Sequence, residues 1–92
     1  MARVIVTLQL MPTSPDVDLK KVRASADRLI AAFAGEPSAK AEEKPIAFGL
    51  KALLLTFIAD ESKGGTDQLE ADLGKVQGVE SVQVTDVRRA VG

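Results

Sequence analysis

The segment LKALLLTFIAD, residues 50–60, decides the fold, because its apolar run is compatible with either a strand or a helix. Its large apolar residues are Leu53, Leu54, Leu55, Phe57 and Ile58. The run is short and bounded by turn-forming residues, with the pair Phe48-Gly49 just before it, and these boundaries favour a strand. Apolar side chains at nearly every position are typical of a strand whose two faces are both at least partly covered. We therefore predict a central strand here, with a helix as the competing interpretation.

Alternating patterns near the two ends of the chain predict two further strands. In residues 3–10 every second position is apolar, at Val4, Val6, Leu8 and Leu10. Val82 and Val84 alternate with polar residues in the same way near the other end. A period of two places such residues on one face of a strand, so each of these strands is expected to turn one face towards a core.

Residues 39–44 are polar and show no clear period, but they are followed by Pro45. Proline offers no amide hydrogen to a neighbouring strand, and charged side chains discourage pairing between sheet edges. This segment is therefore predicted to be an edge strand.

Apolar residues that recur at steps of three and four predict two helices. The stripe of the first consists of Leu19, Val22, Ala26, Leu29, Ile30 and Phe33. This helix is expected to begin after Asp16 or Asp18, whose carboxylates can accept hydrogen bonds from its free amides, and to stop at Gly35. The stripe of the second consists of Leu69, Leu73 and Val76, and Gly78 is expected to terminate it.

The predicted order is strand, helix, strand, strand, helix, strand. This order is typical of an α+β ferredoxin-like βαββαβ sandwich, in which two helices cover one face of a four-stranded antiparallel sheet. Right-handed crossovers place the first and third strands at the centre, and these carry the most apolar runs. Residues 1–92 are expected to form a single domain.

The composition excludes several kinds of chemistry. The 92 residues include no Cys and no His, so disulfides, thiolates, imidazole bases and the commonest zinc ligands are absent. A net charge of −1 removes the long-range attraction to nucleic acid that a basic protein has. No apolar run approaches the roughly 20 residues that a membrane helix needs. We expect a cytoplasmic protein that binds neither nucleic acid directly nor membranes.

No pattern indicates a catalytic, cofactor or metal site. The order Lys63-Gly64-Gly65-Thr66 has the residue types of a phosphate-binding loop in the wrong sequence. Neighbouring carboxylates such as Glu42-Glu43 are normally solvated, and no histidine is present to activate a serine or threonine. The chain is therefore not expected to be an enzyme with covalent chemistry of its own.

Two features remain open to more than one interpretation. Phe48 lies two residues from both Ile46 and Leu50, so on a continuous strand it would share their face and could pack in the core. A bend at Gly49 could instead expose it. The pair Arg88-Arg89 could be a solubilising tail or a cation that contacts a carboxylate or phosphate. The sequence alone does not decide between the two interpretations of either feature.

Four stretches together resemble the archaeal translation elongation factor 1-beta family. They are MPTSPDVDL (residues 11–19), PIAFGLKAL (45–53), GGTD (64–67) and VESVQVTDVRR (79–89). The resemblance covers essentially the whole chain and implies a ferredoxin-like fold. It also implies a guanine-nucleotide exchange factor for elongation factor 1-alpha, the GTPase that brings aminoacyl-tRNA to the ribosome. In eukaryotic relatives such a domain ends a longer chain, whereas here it is expected to stand alone.

The resemblance also implies a partner-binding site at Phe48, Gly49, Arg88 and Arg89. In the family, the phenylalanine of a Pro-Ile-x-Phe-Gly motif packs into the GTPase, and Phe48 matches it. A basic residue near the carboxyl terminus of eukaryotic members is implicated in disturbing the magnesium and phosphate site. Arg89 is the best positional match, with Arg88 as its neighbour. Eukaryotic members have lysine there, so an identical role does not follow.

A different class of function stays open, because ferredoxin-like sandwiches also serve as RNA-binding or small-ligand regulatory modules. An RNA reader of this architecture needs aromatic rings on the sheet face, and this chain has only Phe33, Phe48 and Phe57. A regulatory module would associate through its sheet. Whether the chain forms a homo-oligomer is left open by the sequence.

Overall fold

The predicted elements are present in the predicted order. The structure, a computed structural model, describes residues 3–60, 62 and 65–90, without the side chain of Ala90. Its elements are β1 (Arg3–Pro12), α1 (Leu19–Ala34), β2 (Lys40–Pro45), β3 (Lys51–Asp60), α2 (Asp67–Gly74) and β4 (Val79–Ala90). The apolar run of residues 51–60 is therefore a strand, and the helix interpretation is wrong.

The strands form one antiparallel sheet in the order β2-β3-β1-β4. The pairs between β1 and β3 run from Arg3↔Asp60 to Leu10↔Leu53. The two most apolar strands are thus central, and the polar β2 with its terminal Pro45 lies at an edge. This is the α+β ferredoxin-like arrangement, which confirms the predicted fold class.

The core lies between the sheet and the two helices. Alternate residues of the central strands enter it, and Phe57 meets Phe33 of α1 edge-on, with ring centroids 6.2 Å apart. The other main core residues are Val6, Leu8, Leu10, Leu53, Leu55, Val22, Ala26, Ile30, Leu69 and Leu73. Both helices therefore cover the same face of the sheet, and no helix among the described residues lies on the opposite face.

The ends of α1 are where the sequence predicts them. An Oδ atom of Asp18 accepts a hydrogen bond from the amide of Lys20 at 3.0 Å, and the Gly35 amide donates to the Ala31 carbonyl at 2.8 Å. The second helix is shorter than predicted, because α2 ends at Gly74 and a turn leads from there to Gly78. The predicted apolar stripe nevertheless packs against the core.

The helix-free face of the sheet is mixed in character. Thr7 and Thr56 lie side by side at its centre, with their hydroxyl oxygens 3.2 Å apart, and Ile58 is 41% exposed. None of the three phenylalanines of the chain lies on this face, since Phe33 and Phe57 pack on the helix side and Phe48 lies in the β2-β3 connection. The face therefore has no aromatic platform for stacking bases. Among the described residues, no helix is long and apolar enough to cross a membrane.

Candidate partner-binding site

The β2-β3 hairpin ends in a short turn over Ala47–Gly49. Two hydrogen bonds close this turn: the Ile46 amide donates to the Leu50 carbonyl at 2.8 Å, and the Leu50 amide donates to the Ala47 carbonyl at 3.3 Å. Phe48 stands at the tip, and 92% of it is exposed. The core-packing interpretation of Phe48 is therefore wrong.

The backbone of Phe48 is in the left-handed helical region, at φ 63° and ψ 27°. That region costs an L-residue with a side chain about 1–2 kcal/mol, and a bulky residue is uncommon there. Burial does not offset this cost, because the ring is in solvent. Gly49 follows at φ 74°, a conformation that glycine adopts without penalty. The fold thus gains nothing from a phenylalanine at this position, and its presence indicates a role outside the fold.

The second pair of predicted site residues, Arg88 and Arg89, follows an irregularity in β4. Thr7 pairs with Asp86 and Leu8 with Val84, so Thr85 is an extra residue that forms a β-bulge. From Ser81 to the bulge, even-numbered residues of β4 face the helices, and after the bulge odd-numbered residues do. Arg88 and Arg89, both exposed, are adjacent in the strand and therefore lie on opposite faces of the sheet, and the bulge determines which face each takes.

The two arginines differ in their surroundings. Arg88 lies opposite Ile5 on the helix-free face, and its Nε atom is 2.8 Å from Oδ2 of Asp86. Arg89 lies opposite Val4, on the side of the sheet that carries the helices. The sequence could not separate the two roles, although the spacing of three between Val84 and Val87 breaks the period of two and signals the bulge.

The structure does not bring Phe48 close to the arginines. Val4, the neighbour of Arg89, also pairs with Ala59 at the far end of β3, whereas the hairpin adjoins Lys51 at its near end. At about 3.4 Å per residue, the antiparallel strand from Lys51 to Ala59 spans roughly 27 Å. Phe48 and Arg89 therefore lie at opposite ends of the sheet and near opposite edges.

A shallow cleft of about 270 Å³ adjoins the hairpin. It lies between the hairpin and the connection from β1 to α1, and both acidic and basic side chains line it, among them Asp18, Lys20, Glu43 and Lys51. Such mixed charge on an open surface does not select a small ligand.

The described residues offer little for acid-base or metal chemistry. They contain no group of three or more His, Cys, Asp or Glu side chains that could hold a metal ion. Glu42 accepts a hydrogen bond from Lys40 at 2.8 Å, which raises the pKa of Lys40 above its ordinary value. An exposed pair of this kind is common on surfaces and does not create a catalytic acid or base. The loop Lys63-Gly64-Gly65-Thr66, which has the residue types of a phosphate-binding loop, falls partly outside the described residues.

The fold and the candidate site together define a small α+β protein of the ferredoxin-like class that exposes an aromatic side chain at the tip of a hairpin. Residues 5–90 match the EF-1 guanine nucleotide exchange domain, and the chain belongs to that family. The resemblance to archaeal elongation factor 1-beta is thereby confirmed.

Several archaeal proteins named elongation factor 1-beta are similar over nearly their whole length. The protein of Methanocella arvoryzae is 47% identical over 98% of this chain and 99% of its own, and that of Methanobrevibacter smithii is 46% identical over 97% and 98%. The protein of Methanothermobacter thermautotrophicus is 40% identical over 97% and 98%. Among solved structures, an uncharacterised protein from Thermotoga maritima is similar over 94% of this chain and 100% of its own, with 15% identity and a TM-score of 0.49.

Proposed function

We propose that this protein promotes GDP release and GTP rebinding on elongation factor 1-alpha during translation elongation. Membership of the exchange-domain family supports this function. The structural observation that carries it is Phe48, whose 92% exposure and left-handed backbone are both unfavourable for an isolated domain. A site of contact with a partner gives both features a reason.

Exchange of this kind requires no bond to be made or broken by the exchange factor. A protein that binds the nucleotide-free GTPase more tightly than the GDP-bound form lowers the affinity for GDP by the same factor. This scheme uses no general acid or base and suits a chain without histidine or cysteine. Residues 1–92 act in it as a single exchange domain, not as an enzyme, and the site of action is the cytoplasm.

In this proposal, Phe48 is the apolar side chain that inserts into the GTPase. Its ring packs into an apolar depression of the GTPase, and burial of a phenylalanine contributes about 1.5–3 kcal/mol. Gly49 permits the turn that presents the ring. Because the turn is closed by hydrogen bonds on both sides of Phe48, little conformational freedom is lost on binding.

In this proposal, an arginine of the pair Arg88-Arg89 is the cation that competes with magnesium for the phosphates. A guanidinium is a permanent cation whose planar fork matches phosphate oxygens, so it can compete for the phosphates that magnesium otherwise neutralises. The two contacts are separated by roughly 27 Å along the strands. A partner that receives both must therefore present surfaces on two sides of this small domain.

The direct test is the rate at which labelled GDP leaves elongation factor 1-alpha, with and without this protein. We expect a catalytic amount of the wild type to accelerate release and Phe48→Ala to lose most of the acceleration while remaining folded. No acceleration by the wild type would refute the proposed function and would favour an RNA-binding or regulatory role.

A further inference from the structure

The β2-β3 hairpin has an apolar tip, formed by residues 45–50 with the sequence PIAFGL, which contains no polar side chain. Four of these six residues are exposed, namely Pro45, Ala47, Phe48 and Gly49. Hairpin turns are normally built from Gly, Asn, Asp and Ser, which combine backbone freedom with polar groups that suit them to water. An exposed tip without any polar side chain is therefore a candidate for burial against another molecule.

A lysine flanks the apolar tip at each end. Lys44 comes directly before it and Lys51 directly after it. Lys44 pairs with Ala52, so these two share a face of the sheet, and Lys51, adjacent to Ala52 in β3, takes the opposite face. Both lysines are exposed. The ring of Phe48 therefore has one cation behind it on each face of the hairpin.

Neither lysine is neutralised inside the domain. Among the described residues, no ion pair includes Lys44 or Lys51. By contrast, Lys40 of the same strand lies 2.8 Å from a carboxylate oxygen of Glu42. Glu43, which lies opposite the buried Leu53, is on the same side of the sheet as Lys51, yet it forms no ion pair with that lysine in the described part of the chain. The hairpin thus keeps two cations available to a partner.

The ring of Phe48 is too small to form an interface alone. An aromatic side chain buries about 150–250 Å². A standard specific interface buries about 800 Å² on each partner. A partner that receives Phe48 must therefore also cover the surface beside the ring, and the two lysines at the base of the tip belong to that surface. Like charges placed opposite them would be unfavourable, whereas carboxylates would be complementary.

We propose that the surface which receives Phe48 is an apolar depression with an acidic rim, and that Lys44 and Lys51 pair with carboxylates of this rim. The inference rests on the proposed function and deepens it, because it gives the chemistry of the GTPase surface at the Phe48 contact. Burial of the ring supplies most of the affinity. The lysines remain partly in water, so they mainly speed association and fix the orientation of the hairpin.

The test measures the release of labelled GDP from the GTPase over a range of concentrations of this protein, which gives a half-saturating concentration and a maximal rate. The variants are Lys44→Gln, Lys51→Gln and their combination, together with Glu43→Gln, which removes the neighbouring negative charge. Arg28→Gln is the control, because Arg28 is an exposed cation on α1, outside the hairpin. All of these side chains are exposed, so the thermal unfolding midpoint of each variant should match that of the wild type.

We expect each single lysine variant to raise the half-saturating concentration about two- to fivefold, and the double variant about four- to twentyfold, as is typical of exposed ion pairs. The maximal rate should stay the same. Glu43→Gln should lower the half-saturating concentration about twofold, because it removes a charge that repels the rim, and Arg28→Gln should leave it unchanged. The difference between the wild type and the double variant should shrink at high ionic strength.

An anionic membrane is the other kind of surface that fits an apolar tip flanked by lysines. Sedimentation with phosphatidylserine vesicles distinguishes the two. We expect no binding, because two lysines are few compared with the about four to eight basic residues of a lipid-binding cluster. Vesicle binding by the wild type that is lost in the double lysine variant would overturn the inference in favour of a membrane contact.

Three results of the release assay overturn the acidic rim while leaving the proposed function intact. In the first, the wild type accelerates release and the double lysine variant has the same half-saturating concentration. In the second, Glu43→Gln raises that concentration as the lysine variants do. In the third, the lysine variants lower only the maximal rate. Failure of the wild type itself to accelerate release refutes the proposed function, and the inference with it.

Discussion

Phe48 combines two properties that stability alone would select against. Its ring is exposed to water, and its backbone is in a region that favours glycine or asparagine. Natural proteins keep such strain mainly where function requires it. At this position, therefore, stability and exchange activity are expected to change in opposite directions.

Replacement of Phe48 by asparagine separates these two effects. Asparagine tolerates the left-handed region, so Phe48→Asn should raise the free energy of unfolding by up to about 1 kcal/mol, as measured by urea denaturation. The same variant should lose most of the acceleration of GDP release. Phe48→Ala is the control, since it removes the ring but retains a side chain that is strained in this conformation. A variant that is less stable than the wild type and fully active would contradict this account of Phe48.

Residue-scale prediction from the sequence succeeded where the chemistry is local. Asp18 caps α1 and Gly35 ends it, because a carboxylate near free amides and a glycine after an apolar stripe have few alternatives. Phe48 could not be assigned in this way. The chain leaves the paired strands at Ile46 and re-enters them at Leu50. The alternation of side chains between the two faces of a strand therefore does not continue across the turn.

At the scale of elements, β4 shows the limit of periodicity most clearly. The alternation of Val82 and Val84 correctly predicted a strand, and the structure pairs this strand with β1. The bulge at Thr85 was not predicted, since one extra residue leaves the strand intact and changes only the faces of the residues that follow. The orientation of Arg88 and Arg89 therefore required the register of the paired strands.

The start of β4 is fixed by a close approach at Gly78. A Cβ atom there would lie 2.9 Å from Cγ1 of Val17, and the backbone is at φ 92°. The Gly78 carbonyl also accepts a hydrogen bond from the Thr13 amide at 2.9 Å, which ties the start of β4 to the end of β1. Both the steric fit and the conformation thus demand glycine.

Gly78→Ala should lower the free energy of unfolding by about 2 kcal/mol, because it adds both a clash and backbone strain. Gly74→Ala is the matched control: its Cβ would meet nothing within 4 Å, and alanine favours the helix, so stability should stay the same or rise by about 0.5 kcal/mol. Urea denaturation measures both. Equal losses in the two variants would contradict the close approach at Gly78.

At the scale of the whole molecule, the two proposed contacts lie at opposite ends of the sheet. Substitutions that are more than about 10 Å apart and share no partner usually have additive effects on free energy. Phe48 and Arg89 are separated by roughly 27 Å along the strands, so each should contribute to exchange independently.

The double variant Phe48→Ala, Arg89→Ala tests this independence. Each single substitution should slow the accelerated release of GDP about tenfold, as expected for the loss of an anchoring contact, and the double substitution about a hundredfold. The thermal unfolding midpoint of all three variants should remain close to that of the wild type. If the double variant releases GDP no more slowly than the more impaired of the two single variants, one contact depends on the other.

The proposed exchange mechanism depends on one difference in affinity, namely that between the nucleotide-free and the GDP-bound GTPase. Titration of elongation factor 1-alpha with this protein, with and without saturating GDP, measures that difference most directly. We predict clearly tighter binding to the nucleotide-free form, with the affinity for GDP reduced by the same factor when the protein is bound. Equal affinity for the two forms would contradict the proposed mechanism.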